Sequence, residues 1–209
     1  MERSAHARMG VNPLIAAVAF FIATFTVAIL LRVGFNEEGI RLVMRTAART
    51  SFVLFVLIFT ASPLLTLAPG TSSRWLVANR RSLGLALALS HSAFTLCVLG
   101  YMRLYPESFY EVSYPLQRIG GAVGLMVIAL MAVTSFDGPR RWVGPRWWKV
   151  LHTVGLYYIL INFTVSLGRR VILQRDGFYI PFLVLLATAV ALRLAAVVKV
   201  RQATRGLAS

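Results

Sequence analysis

Six apolar runs punctuate the chain, each near the roughly 20 residues that a helix needs to cross a bilayer. They cover 13–32, 50–69, 82–102, 120–136, 150–168 and 179–198, with short polar links between them. Pro63 lies in the second run and is expected to kink or end its last turns. Arg193 lies in the sixth, near enough to its end to snorkel out. Gly120 and Gly121 open the fourth and permit close helix contact. The links carry turn chemistry. Pro69-Gly70-Thr71-Ser72-Ser73 closes the second run and is placed to cap the third, and Asp137-Gly138-Pro139 closes the fourth. Gly144-Pro145 sets a proline at the first helical position of the fifth. Tyr105, Tyr110 and Tyr114 cluster in one link and Trp142, Trp147 and Trp148 in another, as aromatics at a membrane–water interface do. The pattern predicts an all-α integral membrane bundle of six transmembrane helices, one domain over 1–209.

Composition agrees. The chain is 58% hydrophobic and 14% charged, against about 25% charged for a soluble domain, and its mean hydropathy is +0.73. Its net charge is +15, from 22 Lys and Arg against 7 Asp and Glu. The basic residues stand in the links, so they read as topology signals and anchors for anionic lipid headgroups, not as a nucleic-acid surface. The single cysteine, Cys97, excludes an intrachain disulfide and any cysteine-built zinc or iron–sulfur site. The first run follows Arg3 and Arg8 and exceeds a signal-peptide core, so it reads as a retained helix. The tail of about ten polar residues after the sixth run is too short for a flavin or nicotinamide domain. With the N-terminus inside, thirteen Lys and Arg lie inside and nine outside, which predicts an N-in/C-in orientation.

Two histidines interrupt the apolar runs. His91 sits deep in the third, and His152 follows Trp147-Trp148-Lys149 near the start of the fifth. Ionisable groups inside a membrane are functional candidates, and neutral imidazole ligates iron. Two histidines on two helices are the minimum for holding one haem by both axial positions. At about 100° per residue, Arg80, Gly84, His91, Thr95 and Met102 share a face. Gly84 and Ala88 leave a groove beside His91, and Gly155 is the small neighbour of His152. Arg80 is placed to pair with a haem propionate. The plainer reading gives the small residues to helix packing, Arg80 and Arg81 to the membrane edge, and His152 to the interface. Depth is the obstacle: His91 lies about 15 Å above Arg81 by helical rise, whereas His152 is three residues past Lys149. A shared iron requires the fifth helix to start near Pro145 and ride high, or Arg80 and Arg81 to sit below the apolar edge. His6 stands in the N-terminal tail without such an argument. Arg41, Arg45 and Arg49 form a basic stripe that suits lipid phosphate or a pairing with Glu37 or Glu38. Asn162, Thr164 and Ser166 suit interhelical hydrogen bonds.

The stretch Arg74-Trp75-Leu76-Val77-Ala78-Asn79-Arg80-Arg81-Ser82-Leu83-Gly84-Leu85, followed by His91, resembles the third helix of the ferric reductase-like transmembrane domain, in particular the haem-binding subunits of the YedZ/MsrQ type and their bacterial relatives. Arg45–Ser51, Ala132–Asp137 and Trp148–Tyr158 fit the same pattern in the same order. The resemblance implies a bacterial inner-membrane bundle that holds b-type haem between the third and fifth spans. It also implies electron transfer from a quinol or flavoprotein donor to a periplasmic or membrane redox partner. Two departures stand out. Phe94 occupies a position where the family often has a histidine, and Val165 occupies that of a second fifth-span histidine. At most one haem, on His91 and His152, is then expected. The alternatives are a bundle that kept its shape and lost the cofactor, and, with less to recommend it, a transporter, which would want broken helices in matching halves.

Overall fold

The computed structural model describes residues 12–206; Arg3, His6 and Arg8 lie outside them. Every element among the described residues is helical: α1 (Pro13–Val33), α2 (Glu37–Leu67), α3 (Thr71–Ala78), α4 (Arg80–Leu104), α5 (Pro106–Val112), α6 (Pro115–Val133), α7 (Asp137–Val143), α8 (Pro145–Ile172), a 3₁₀ turn (Gly177–Tyr179) and α9 (Ile180–Gly206). Six of them, α1, α2, α4, α6, α8 and α9, are long and apolar enough to cross a membrane. The chain is an all-α multi-pass membrane bundle, in which helices satisfy their own backbone polar groups away from water.

Local chemistry sets the boundaries. Asn36 serves two helices at once: its Oδ1 accepts from Gly39 N at 2.9 Å, and its Nδ2 donates to the Val33 carbonyl at 2.8 Å. Gly39 packs so closely under the Gly34 carbonyl that a side chain there has no room. Gly144 takes φ +79°, a left-handed turn that a side chain disfavours, and Pro145 opens α8 as the link chemistry predicts. Ser73 Oγ accepts from Gly70 N at 2.9 Å and so caps the short α3; the expected cap of the third run belongs to this extra helix.

Three boundaries differ from expectation. The second span begins at Glu37, far ahead of residue 50, because helix continues through Arg41, Arg45 and Arg49. Arg41 is paired with Glu37 at 3.3 Å, and Arg49 lies over the Phe178 ring at 4.6 Å. The basic stripe is therefore not one surface. Pro63 does not end α2 either, which runs on to Leu67. Asp137 starts α7 rather than merely closing the fourth span.

The helices α2, α4, α6, α8 and α9 form a ring, each against the next and α9 back against α2, while α1 leans on α2 and α4. More than half of the α2 span is buried and none of the α1 span, so α2 is the structural centre. Phe52 and Phe55 of α2 meet Phe163 of α8 at 5.4 and 5.5 Å between centroids, and Phe52 meets Phe182 of α9 at 5.2 Å. Buried Ser51 and Ser90 join α2 to α4 at 2.9 Å. The Gly120 carbonyl accepts from Tyr158 and Asn162 at 2.8 and 2.9 Å, joining α6 to α8. α4 and α8 begin at the end where α2, α6 and α9 finish, hereafter the basal end.

Candidate functional site

His91 is held where it is by its neighbour. Ser90 is fully buried against α2 and donates to the Ala47 carbonyl at 3.1 Å, which fixes the rotation of α4. The His91 ring then lies 5.5 Å from Phe94, and its Nδ1 is buried with no hydrogen-bond partner among the described residues. A buried polar atom left unpaired costs about 1–3 kcal/mol. Gly84 is two turns below, on the same face, and a Cβ added there would meet no neighbour within 4 Å. One side of α4 therefore carries an unsatisfied imidazole above the open space at Gly84.

His152 is built differently. Its Nδ1 lies 3.0 Å from the Trp148 carbonyl, one turn back on α8, and the ring stacks on Trp148 at 4.2 Å. Trp148 is itself fixed, because its Nε1 donates to the Thr134 carbonyl of α6 at 2.9 Å and Arg140 covers its ring at 4.7 Å. The Trp148 carbonyl makes Nδ1 the N–H nitrogen, the tautomer that a metal-ligating imidazole needs, and the Met131 backbone of α6 also hydrogen-bonds the ring. Gly155 does not shape a cleft beside it. It is buried against Val127 and Met131 of α6, so it serves α6–α8 packing.

The two imidazoles stand at different depths. Ser90 touches Ala47 and Ser51 of α2, and Phe163 of α8 touches Phe52 and Phe55, further along α2, so His91 is no nearer the basal end than Phe163. His152 lies eleven residues, about 16 Å of helical rise, from Phe163 toward the basal end. It is within electrostatic reach of Arg80, the first residue of α4, whereas His91 is about 16 Å further along that helix. Measured through α6, with Arg81 over Phe136, Trp148 on Thr134 and Phe136 two residues nearer the basal end than Thr134, the offset is about 6 Å. The longer path runs through packed aromatic contacts, the shorter through the extended Arg81 side chain. Helix α8 does start at Pro145, yet this does not lift His152 to the level of His91.

The residue set thus fits haem in part. His91 suits a single axial ligand beside open space, and His152, engaged by the Trp148 and Met131 backbone, lies near the basal end. The pair does not face across one iron, which requires two nitrogens at one level. Arg80 donates to Ser62 of α2 at 2.9 Å and stands far from His91. Val165 is 59% exposed, and no imidazole on α8 stands opposite His91.

Some contacts were not anticipated. Arg193 does not snorkel out; its Nη1 lies 3.5 Å from the Phe59 carbonyl, with its guanidinium over Phe59 and Tyr157 at 4.5 and 5.2 Å. Pro63, four residues after Phe59, is the sequence signal for it. Asn162 bonds Gly120 of α6, the interhelical bond expected of it, whereas Thr164 bonds the Leu160 carbonyl at 2.8 Å and Ser166 faces Asn162 at 3.5 Å, both within α8. Compared with known proteins, the chain matches no family, no curated protein and no solved structure.

Proposed function

We propose that this chain is a b-type haem-binding subunit of the bacterial inner membrane, a divergent relative of the ferric reductase-like YedZ/MsrQ group. It relays electrons from a quinol or flavoprotein donor to a periplasmic or membrane redox partner. The observation that carries the reading is the His91 imidazole, whose buried Nδ1 lacks a partner among the described residues, in an apolar helix above the open space at Gly84. Haem supplies a one-electron ferric–ferrous couple. His91 is the ligand from α4, and His152 is the candidate toward the basal end. Substrate conversion belongs to the partner. The greater Lys and Arg content of the basal end supports its being cytoplasmic, with N-in/C-in topology, and its contact with anionic lipid.

The test is optical. Protein purified after haem-sufficient expression is expected to show Soret and α bands that shift on dithionite reduction, and His91→Leu to abolish them. Colourless wild-type protein overturns the reading.

The depth offset favours a second reading, a haem-free interaction protein that kept the bundle. Phe94 and Val165 support it too. It expects colourless protein and a His91→Leu variant that folds as well as the wild type.

A further inference from the structure

We infer a phosphate-binding site at the basal end, formed by Arg80 of α4 and Arg193 of α9 on either side of Ser62 of α2. It goes beyond the haem reading and does not depend on it.

Arg80 anchors one N–H on Ser62 Oγ at 2.9 Å, and Arg193 points one at the Phe59 carbonyl at 3.5 Å. Phe59 and Ser62 are three residues apart and hence neighbours on one helix face. Two guanidinium groups from different helices are thereby set one turn apart, and their charges repel. Phe59 and Tyr157 cover the faces of Arg193, leaving its edge for hydrogen bonding. Each guanidinium has five donors in a planar fork.

Among the described residues no carboxylate neutralises the pair. Arg41–Glu37 is the only ion pair among the described residues. Glu37 and Glu38 open α2 at the opposite end of the bundle, and Glu107 lies on α5. Asp137 lies on α7 in a surface recess with Arg140 and Arg141. Capping a carbonyl explains where one N–H of Arg193 points, and an edge position explains why Arg80 is basic. Neither supplies the counter-charge that two cations in an apolar bundle require. A phosphate does, because it accepts from two guanidinium forks at once. The source is a phosphodiester headgroup of the adjoining leaflet or free inorganic phosphate.

Native mass spectrometry on the whole chain released from detergent tests this, with phosphatidylglycerol, phosphatidylcholine and inorganic phosphate as separate arms. Wild-type protein is expected to keep one phosphatidylglycerol under activation that strips phosphatidylcholine. Arg80→Gln and Arg193→Gln are each expected to lower that occupancy about tenfold, the equivalent of 1.4 kcal/mol, while Arg141→Gln on the exposed α7 leaves it unchanged. Retention of inorganic phosphate, lost in the same two variants, assigns the site to the free anion. Equal occupancy in wild type and both variants overturns the proposal, as does retention of neither ligand. Arg80→Gln leaves the Phe59 contact intact and carries the test if Arg193→Gln does not fold. The readout is a lipid mass, so failure here is distinct from absence of a Soret band.

Discussion

Arg193 repairs what Pro63 breaks. A proline at 63 has no N–H for the carbonyl four residues earlier, that of Phe59, and Arg193 Nη1 approaches that oxygen at 3.5 Å from α9. Lys199, further along α9, donates to the Thr66 carbonyl at 2.9 Å and satisfies the end of α2 in the same way. Cations near a helix C-terminus also complement its dipole. This is why α2 passes through a proline and continues to Leu67.

The coupling is measurable. Arg193→Met is expected to destabilise the bundle by about 1–2 kcal/mol. In a Pro63→Ala background the alanine N–H rebonds Phe59, and the same substitution is expected to cost less than half as much. A double-mutant cycle from reversible unfolding in mixed micelles reads the difference. Equal costs in the two backgrounds would disconnect the residues.

The depth of the histidines makes an independent prediction. If haem binds, His152 does not complete the coordination begun by His91, because the imidazoles lie on different rungs. His152→Leu is expected to leave a His91-held Soret band in place, and the ferric spectrum to be of the high-spin type expected of one axial histidine. A low-spin spectrum destroyed equally by both substitutions would show that the helices bring the two rings together.

What the sequence revealed divides along a physical line. Span number and the turn at Gly144-Pro145 depend on a few adjacent residues, so they were readable; the cap at Ser73 was legible as a cap, but it opens α3 and not the third span. The start of α2 was not, since Arg41, Arg45 and Arg49 resemble a link until Glu37 and Phe178 are seen holding two of them. Helix rotation was harder still: lipid-facing Phe20 and core-facing Phe55 are the same residue type, because hydrocarbon and protein interior reward the same side chains. Gly84 and Gly155 therefore looked alike, though one borders open space and the other supports Met131. Relative depth was hidden for the same reason. Only contacts between helices, such as Phe163 on Phe52, show that His91 and His152 are out of level.

The Ser51–Ser90 pair is expected to govern the α2–α4 contact. Both side chains are wholly buried, and Ser90 bonds both Ser51 and the Ala47 carbonyl. Ser51→Ala leaves Ser90 one partner, so the loss should be near the ~0.6 kcal/mol average for hydrogen bonds between membrane helices. Ser90→Leu adds volume where α2 leaves none and should cost about 1–3 kcal/mol. Thermal unfolding of the two variants separates the roles. A leucine tolerated as well as the alanine would mean that α4 can turn away from α2, freeing His91 from its assigned orientation.

Gly155 gives the corresponding test of α6 against α8. A Cβ there would lie 3.0 Å from Val127 Cγ1 and closer still to Met131 Sδ. Val127 is branched and stiff, whereas the end of Met131 can swing aside. Gly155→Ala should therefore destabilise by about 1–3 kcal/mol, and shortening Met131 to alanine should recover only part of it, because the valine contact persists. If Gly155→Ala costs nothing, α6 and α8 separate more easily than their packing implies. The glycine would then be available to a ligand beside His152, as the spacing of the two residues in sequence first suggested.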